Sequence, residues 1–276
     1  MLTTKGNMWG FRVSNIGNPS TTPGTSITPG ATNAEGSYTQ VLGALAQDCY
    51  WFEIAIAGGN TSANDKSHLL DIAFDPAGGT SWITVISNIC CGASASWVSG
   101  AYYYCFPLHI KAGSTVAVRI QGSNGTAGTV RVVVTAWGKP SKPLFIQYSS
   151  YSETIGTITN SGGTSVTAGN AAAEGSWTSL GTTTRDLWWW QLTAQISNGT
   201  ITSLAYYFDL AHGDANNKHI IAQDIQMFIP GTAELLSLAP QFWGYHEVKG
   251  GDTIYVRCSC SGTSVTGINC TAIGMG

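Results

Sequence analysis

One stretch of this chain occurs twice, and that constrains the fold more than anything else in it. Gly24-Thr25-Ser26-Ile27-Thr28-Pro29-Gly30 returns as Gly163-Thr164-Ser165-Val166-Thr167-Ala168-Gly169. Ala34-Glu35-Gly36-Ser37-Tyr38-Thr39 returns as Ala173-Glu174-Gly175-Ser176-Trp177-Thr178. The spacing is 139 residues through the whole block, without a gap, and the exchanges are mild (Ile27 for Val166, Tyr38 for Trp177). A fixed register over such a length marks an internal duplication.

The duplication continues. Leu69-Leu70-Asp71-Ile72-Ala73 corresponds to Tyr207-Phe208-Asp209-Leu210-Ala211, now 138 residues on. Lys111-Ala112-Gly113-Ser114-Thr115-Val116-Ala117-Val118-Arg119 corresponds to Lys249-Gly250-Gly251-Asp252-Thr253-Ile254-Tyr255-Val256-Arg257 at the same spacing. Ala136-Trp137-Gly138 closes the first copy and Ala272-Ile273-Gly274 the second. Each copy is roughly 115 residues, the size of one ordinary domain. The chain therefore divides into an N-terminal arm (1–23), a first domain (24–138), a linker (139–162) and a second domain (163–276).

Within each copy, strands follow one another. Tyr38-Thr39-Gln40-Val41-Leu42 alternates, Cys49-Tyr50-Trp51-Phe52-Glu53-Ile54-Ala55-Ile56 is aromatic and β-branched, and Thr129 to Trp137 closes the first copy. Clusters such as Gly58-Gly59-Asn60 and Asp75-Pro76-Ala77-Gly78-Gly79 break the runs. No apolar pattern of period 3.6 lasts long enough for a sizeable helix. Seven or eight short strands per copy, punctuated by Gly, Pro and Asn, predict an all-β chain: two tandem antiparallel β-sandwich domains, jelly-roll-like in strand count.

Composition limits the function. Only 10% of residues are charged and the net charge is −3. With no Lys/Arg stripe, nucleic acid is not an expected partner. No run of about 18 apolar residues exists, so no helix is expected to span a membrane. Met1-Leu2-Thr3-Thr4-Lys5-Gly6 lacks the apolar core of a secretory signal, which predicts synthesis in a cytoplasm.

Several residues carry two readings. In the arm, Met8, Trp9 and Phe11 form either an adhesive patch for a partner or a cap on the first sandwich. Seven cysteines fit no common zinc spacing. They read as buried reduced thiols, with cross-strand disulfides between Cys258 or Cys260 and Cys270 across the last hairpin as the alternative, and a metal site as a third. Trp188-Trp189-Trp190 suggests sugar stacking, or core packing like the aromatic strand of the first copy. Asp71, Asp209, Glu35 and Glu174 recur, as calcium ligands or as acceptors for edge N–H groups. The segment 212–219, with His212, Asp214 and His219, is the densest local set of ligand-type side chains, or simply a solvated loop. His109 and His246 fall at nearly matching positions. No Gly-x-Ser-x-Gly frame and no phosphate-binding glycine motif is present, so no catalytic, cofactor-binding or metal residue is assigned and no enzymatic activity is expected.

Gly163 to Thr167 with Gly175 to Thr178, Leu70 to Ala73, Phe106 to Leu108 and Ile110 to Arg119 together resemble virion structural proteins of tailed bacteriophages. The second copy departs from that pattern at Phe-Pro-Leu, where Trp243-Gly244-Tyr245 stands. The resemblance implies a jelly-roll module without enzymatic activity or cofactor that decorates or cements a capsid or builds a collar or tail. Its expected partners are other virion proteins, a major capsid or collar/tail protein, and further copies of itself as a dimer or trimer. Its expected location is the virion. A receptor- or glycan-binding fibre or baseplate module is the alternative.

Overall fold

The computed structural model of the chain describes residues 13–17, 24–57, 67–91, 101–123, 128–138, 149–158, 161–170, 173–196, 204–229, 243–262 and 268–276. Every regular element among these is a β-strand. The first half holds β1 (Val13–Gly17), β2 (Thr25–Ile27), β3 (Thr39–Leu42), β4 (Cys49–Ala57), β5 (His68–Asp75), β6 (Ile83–Cys90), β7 (Ala101–Phe106), β8 (Thr115–Gly122) and β9 (Val130–Gly138). The second holds β10 (Ser152–Ile155), β11 (Thr157–Ile158), β12 (Gly162–Val166), β13 (Ala168–Gly169), β14 (Thr178–Thr182), β15 (Leu187–Ile196), β16 (Leu204–Gly213), β17 (Lys218–Ile229), β18 (Trp243–Val248), β19 (Thr253–Cys260) and β20 (Ile268–Met275).

In the first half one sheet runs β1-β9-β4-β7, with β2 also on β9, and it faces a sheet β3-β8-β5-β6. In the second half β12-β20-β15-β18 faces β14-β19-β16-β17. If β2 and β12 are each counted as first and the two-residue β13 is passed over, both halves read 1-8-3-6 over 2-7-4-5. Apart from the hairpins β5–β6 and β16–β17, strands that neighbour in sequence are thus dealt to opposite sheets, which is the winding of a jelly roll. Along β9 burial alternates strictly: Val130, Val132, Val134 and Ala136 are fully buried and the residues between them half-buried. They meet Phe52, Ile54 and Ile56 on their own sheet and Leu70, Ile72, Val116 and Val118 on the facing one.

The duplication reaches further back than the sequence indicates. β1 lies inside the stretch read as an arm, yet it pairs with β9, Val13 opposite Trp137. β10 lies inside the stretch read as a linker, yet it pairs with β20, Ser152 opposite Met275. Val13 and Ser152 are again 139 residues apart. Val-Ser-Asn-Ile-Gly and Ser-Glu-Thr-Ile share the pairing but no residue pattern, because an edge strand is held by its backbone.

The halves are joined by a buried polar seam. On β15, Trp190, Leu192 and Ala194 point into the second core, while Gln191, Thr193 and Gln195 point outward and are nonetheless buried. What covers them is the first half, whose β6 lies across β10, β15 and β20. Gln195 Oε1 accepts from the His68 N–H at 3.0 Å, and Thr193 Oγ1 accepts from the Cys90 N–H at 3.1 Å. Thr271 Oγ1 donates to the Asn88 carbonyl at 3.2 Å, and Thr154 Oγ1 donates to the Ser87 carbonyl at 2.5 Å. Backbone groups of the first half therefore find partners in side chains of the second, as burial demands.

Candidate functional site

The repeated carboxylates come together with a repeated arginine. Asp71 Oδ2 accepts from Arg119 Nε at 2.8 Å, and Glu35 lies 2.5 Å from the same guanidinium, which also covers the Tyr38 ring at 4.6 Å. In the second half Asp209 Oδ2 accepts from Arg257 Nη2 at 2.7 Å, with Glu174 at 3.3 Å and the Trp177 ring at 4.6 Å. The remaining oxygen takes a backbone donor in each case: Asn88 N–H to Asp71 and Asp224 N–H to Asp209. Burial raises the pKa of Glu35 and of Glu174, while the arginines pull them down. Carboxylate oxygens of Glu174, Asp209 and Asp224 lie within 4.8 Å of one another, but Arg257 already sits among them. These residues tie the first loop of each half to its sheet. Their acceptors serve N–H groups and a guanidinium.

Other residues singled out in the sequence separate. Met8, Trp9 and Phe11 lie outside the described residues. Cys258 and Cys260 sit on β19 and Cys270 on β20, in opposite sheets, so no hairpin joins them; all three are buried free thiols. Trp190 is fully buried and its indole N–H donates to the His246 carbonyl at 2.9 Å. Trp189 is 7% exposed and packs edge-on against Tyr245. The faces of both indoles are used in packing, not open to a sugar ring.

The segment 212–219 does gather a site, completed by a residue from the opposite sheet. His212 is the last residue but one of β16 and stands directly opposite His219 on β17, with ring centroids 5.3 Å apart. His246 comes from β18 across the mouth of the sandwich, placing its Nε2 3.1 Å from His212 Nε2. Behind His212, Asp252 Oδ2 lies 2.8 Å from Nδ1. A carboxylate there holds the proton on Nδ1 and leaves Nε2 with a free lone pair aimed at His246. Burial lowers the pKa of His246, helped by the charges of His212 and His219, which favours a neutral ring. A polar hollow of about 570 Å³ opens beside the group, lined by His212, His219, Asp214, Asn217, Asp252 and Tyr255.

The first half shows what this place looks like without the site. By the shared spacing of 138, His212, His246 and Asp252 correspond to Phe74, Leu108 and Ser114. The matching pairs Phe74 opposite Val116 and His212 opposite Ile254 fix the first. Phe106 opposite Phe52 and Gly244 opposite Trp190 fix the second. The turns Ser114 N–H to Lys111 and Asp252 N–H to Lys249, both 3.2 Å, fix the third. Phe74 and Leu108 are buried apolar side chains. The sequence set His246 against His109 and Tyr245 against Leu108; the strand pairing moves both matches by one residue and puts His246 at Leu108. The signal that was missed is the joint replacement of Phe, Leu and Ser by His, His and Asp.

No family model matches the chain, and no curated protein sequence does. Among solved structures, PNGF-II is 8% identical over 96% of this chain and 64% of its own length, with a TM-score of 0.38, so the chain spans less than two thirds of it. PNGase F, described as a glycosylasparaginase from Flavobacterium meningosepticum, is 12% identical over 95% of this chain and 96% of its own, with a TM-score of 0.36. The major capsid protein P2 of bacteriophage PM2 is 8% identical over 91% and 97%, with a TM-score of 0.31. The expectation that the chain is not an enzyme is corrected here: peptide N-glycanase F stands among the solved structures similar to it, and a sequence without a helix pattern or a serine motif gives no ground for excluding catalysis. At TM-scores below 0.5, no activity or ligand passes from these proteins to this chain.

Proposed function

We propose that the chain is a building block of a bacteriophage virion, carrying its two jelly rolls as one fixed unit onto a major capsid, collar or tail protein. The observation behind this reading is the polar seam between the halves. Gln195, Thr193 and Thr271 each make a hydrogen bond to the backbone of the first half, so the two modules meet neighbours at a set distance and angle instead of swinging on a linker. A chain with only 10% charged residues suits a protein whose outside packs on others. Exposed strand edges are a hazard in a free monomer and useful where neighbouring subunits cover them. A closed dimer or trimer of the chain would cover them in part.

The test is the composition of purified particles. Virions banded on a density gradient should contain the chain in a fixed copy number per particle, by quantitative mass spectrometry, and gold-labelled antibody should mark one location. Particles free of the chain would refute the reading. So would a chain removed by a mild salt wash with the particle unchanged.

A further inference from the structure

We propose that His212, His246 and His219 form a binding site for a first-row transition metal ion of the zinc class, with Asp252 holding His212 from behind and one coordination position open to the adjoining hollow.

Four observations carry this. The Nε2 atoms of His212 and His246 face each other at 3.1 Å. Two ligands held about 2.0–2.1 Å from a tetrahedral zinc ion lie roughly 3.3 Å apart, so a shift of a few tenths of an ångström admits the ion. His219 stands opposite His212 on the neighbouring strand, ring centroids 5.3 Å apart, and is exposed, so its side chain is free to turn toward the same point. Asp252 on Nδ1 is the carboxylate that metal-bound imidazoles usually have behind them; it sets the tautomer that a ligand needs. Lastly, the first half fills the equivalent place with Phe74 and Leu108. Swapping both for imidazoles gives up apolar packing at the end of a core, and a local departure of that kind is expected where something binds.

The chemistry selects the ion. Neutral imidazole suits zinc, copper and nickel, whereas calcium and magnesium require oxygen ligands. Without a metal the two Nε2 atoms share one proton in an N–H···N bond; the ion takes the place of that proton. The three histidines come from β16, β17 and β18, so a bound ion would clip the edge of one sheet to the other.

The test uses the full-length chain, stripped with chelator and titrated with ZnCl₂ by calorimetry, with CoCl₂ absorption as a second readout. One ion per chain is expected, with cobalt giving a tetrahedral spectrum. The double variant His212→Phe/His246→Leu restores the side chains of the first half and should abolish binding. Should that variant not fold, His219→Gln, at an exposed position, should weaken binding at least tenfold with the fold intact. Asp252→Ser should weaken it roughly 10- to 100-fold. Asp224→Asn, in the acidic group around Arg257, should leave it unchanged. Failure of the wild-type chain to bind one equivalent would overturn the proposal, as would full affinity in His219→Gln or loss of binding in Asp224→Asn.

Discussion

Asn88 and Asp224 hold the same backbone conformation at the same point of the two halves. Their φ angles are 58° and 54°, and each donates its N–H to a strand aspartate, Asp71 at 2.8 Å and Asp209 at 3.0 Å. Both sit where the ladder slips: pairing jumps from Leu70 to Ile72 in one half and from Phe208 to Leu210 in the other. A bulge takes one N–H out of the ladder and turns the backbone left-handed, where Asn and Asp are tolerated best among residues with a side chain. The aspartate supplies the acceptor that the ladder no longer provides, and the arginine balances its charge.

Removing that acceptor should be costly. Asp209→Ala strands the Asp224 N–H and leaves Arg257 with Glu174 alone, so a loss of about 2–3 kcal/mol is expected in urea unfolding. Asp209→Asn keeps the shape and one acceptor and should cost less. Equal losses in the two variants would show that charge, not the bulge N–H, is what matters.

The duplication, the all-strand class and the aromatic core were legible because they rest on side-chain pattern. The aromatic and β-branched run Cys49 to Ile56 announces a strand by residue type alone, and it is β4, with Phe52, Ile54 and Ile56 buried. Backbone-held features were not legible. Val13–Gly17 and Ser152–Ile155 are placed by ladder bonds to β9 and β20, and nothing in their side chains says so. The burial of Gln191, Thr193 and Gln195 was hidden for another reason: an outward polar residue looks the same whether water or the other half covers it. Half of the candidate site was legible, as the ligand-rich segment 212–219. Its union with His246 depends on two sheets meeting 34 residues apart, which sequence spacing does not encode.

The seam should behave as a cooperative contact. Thr193 Oγ1 and Thr271 Oγ1 are 2.6 Å apart and together serve the Cys90 N–H and the Asn88 carbonyl. Thr193→Val leaves the Cys90 N–H buried without an acceptor, a cost of about 1–3 kcal/mol. The expected sign of uncoupling is that tryptophan fluorescence and far-ultraviolet circular dichroism, coincident for the wild type, separate into two transitions. Coincident curves with unchanged midpoints would argue that the seam does not couple the halves.

Gly274 faces Leu187 and Trp190 of the second core with no room for a side chain. A Cβ there would lie 2.5 Å from Leu187 Cδ1 and 3.0–3.1 Å from the Trp190 ring. Gly274→Ala should therefore destabilise by about 1–3 kcal/mol through overpacking, although alanine is otherwise the better strand residue. Adding Trp190→Phe should recover part of the loss by opening room. Two additive losses in the double variant would mean that the pair does not compete for the same space.

The thiols give the stability its alkaline limit. Burial pushes Cys90 up to about 11 and Cys49 and Cys105 up to about 12, against an ordinary value of 9.0. Below pH 9 both folded and unfolded chains keep these protons, and the contribution is complete. Above it the unfolded chain loses protons that the folded chain retains, so stability falls as pH rises from 9 towards about 12. At pH 8 a thiol with a value of 11 is ionised to about one part in a thousand, and only the thiolate attacks a disulfide reagent. Native chain should thus react slowly with such a reagent at Cys90, Cys49 and Cys105. Denatured chain prepared without reductant should release all seven thiols at once. Five thiols instead of seven would establish a disulfide, and rapid labelling of the native chain would show that these cysteines are not held in the core.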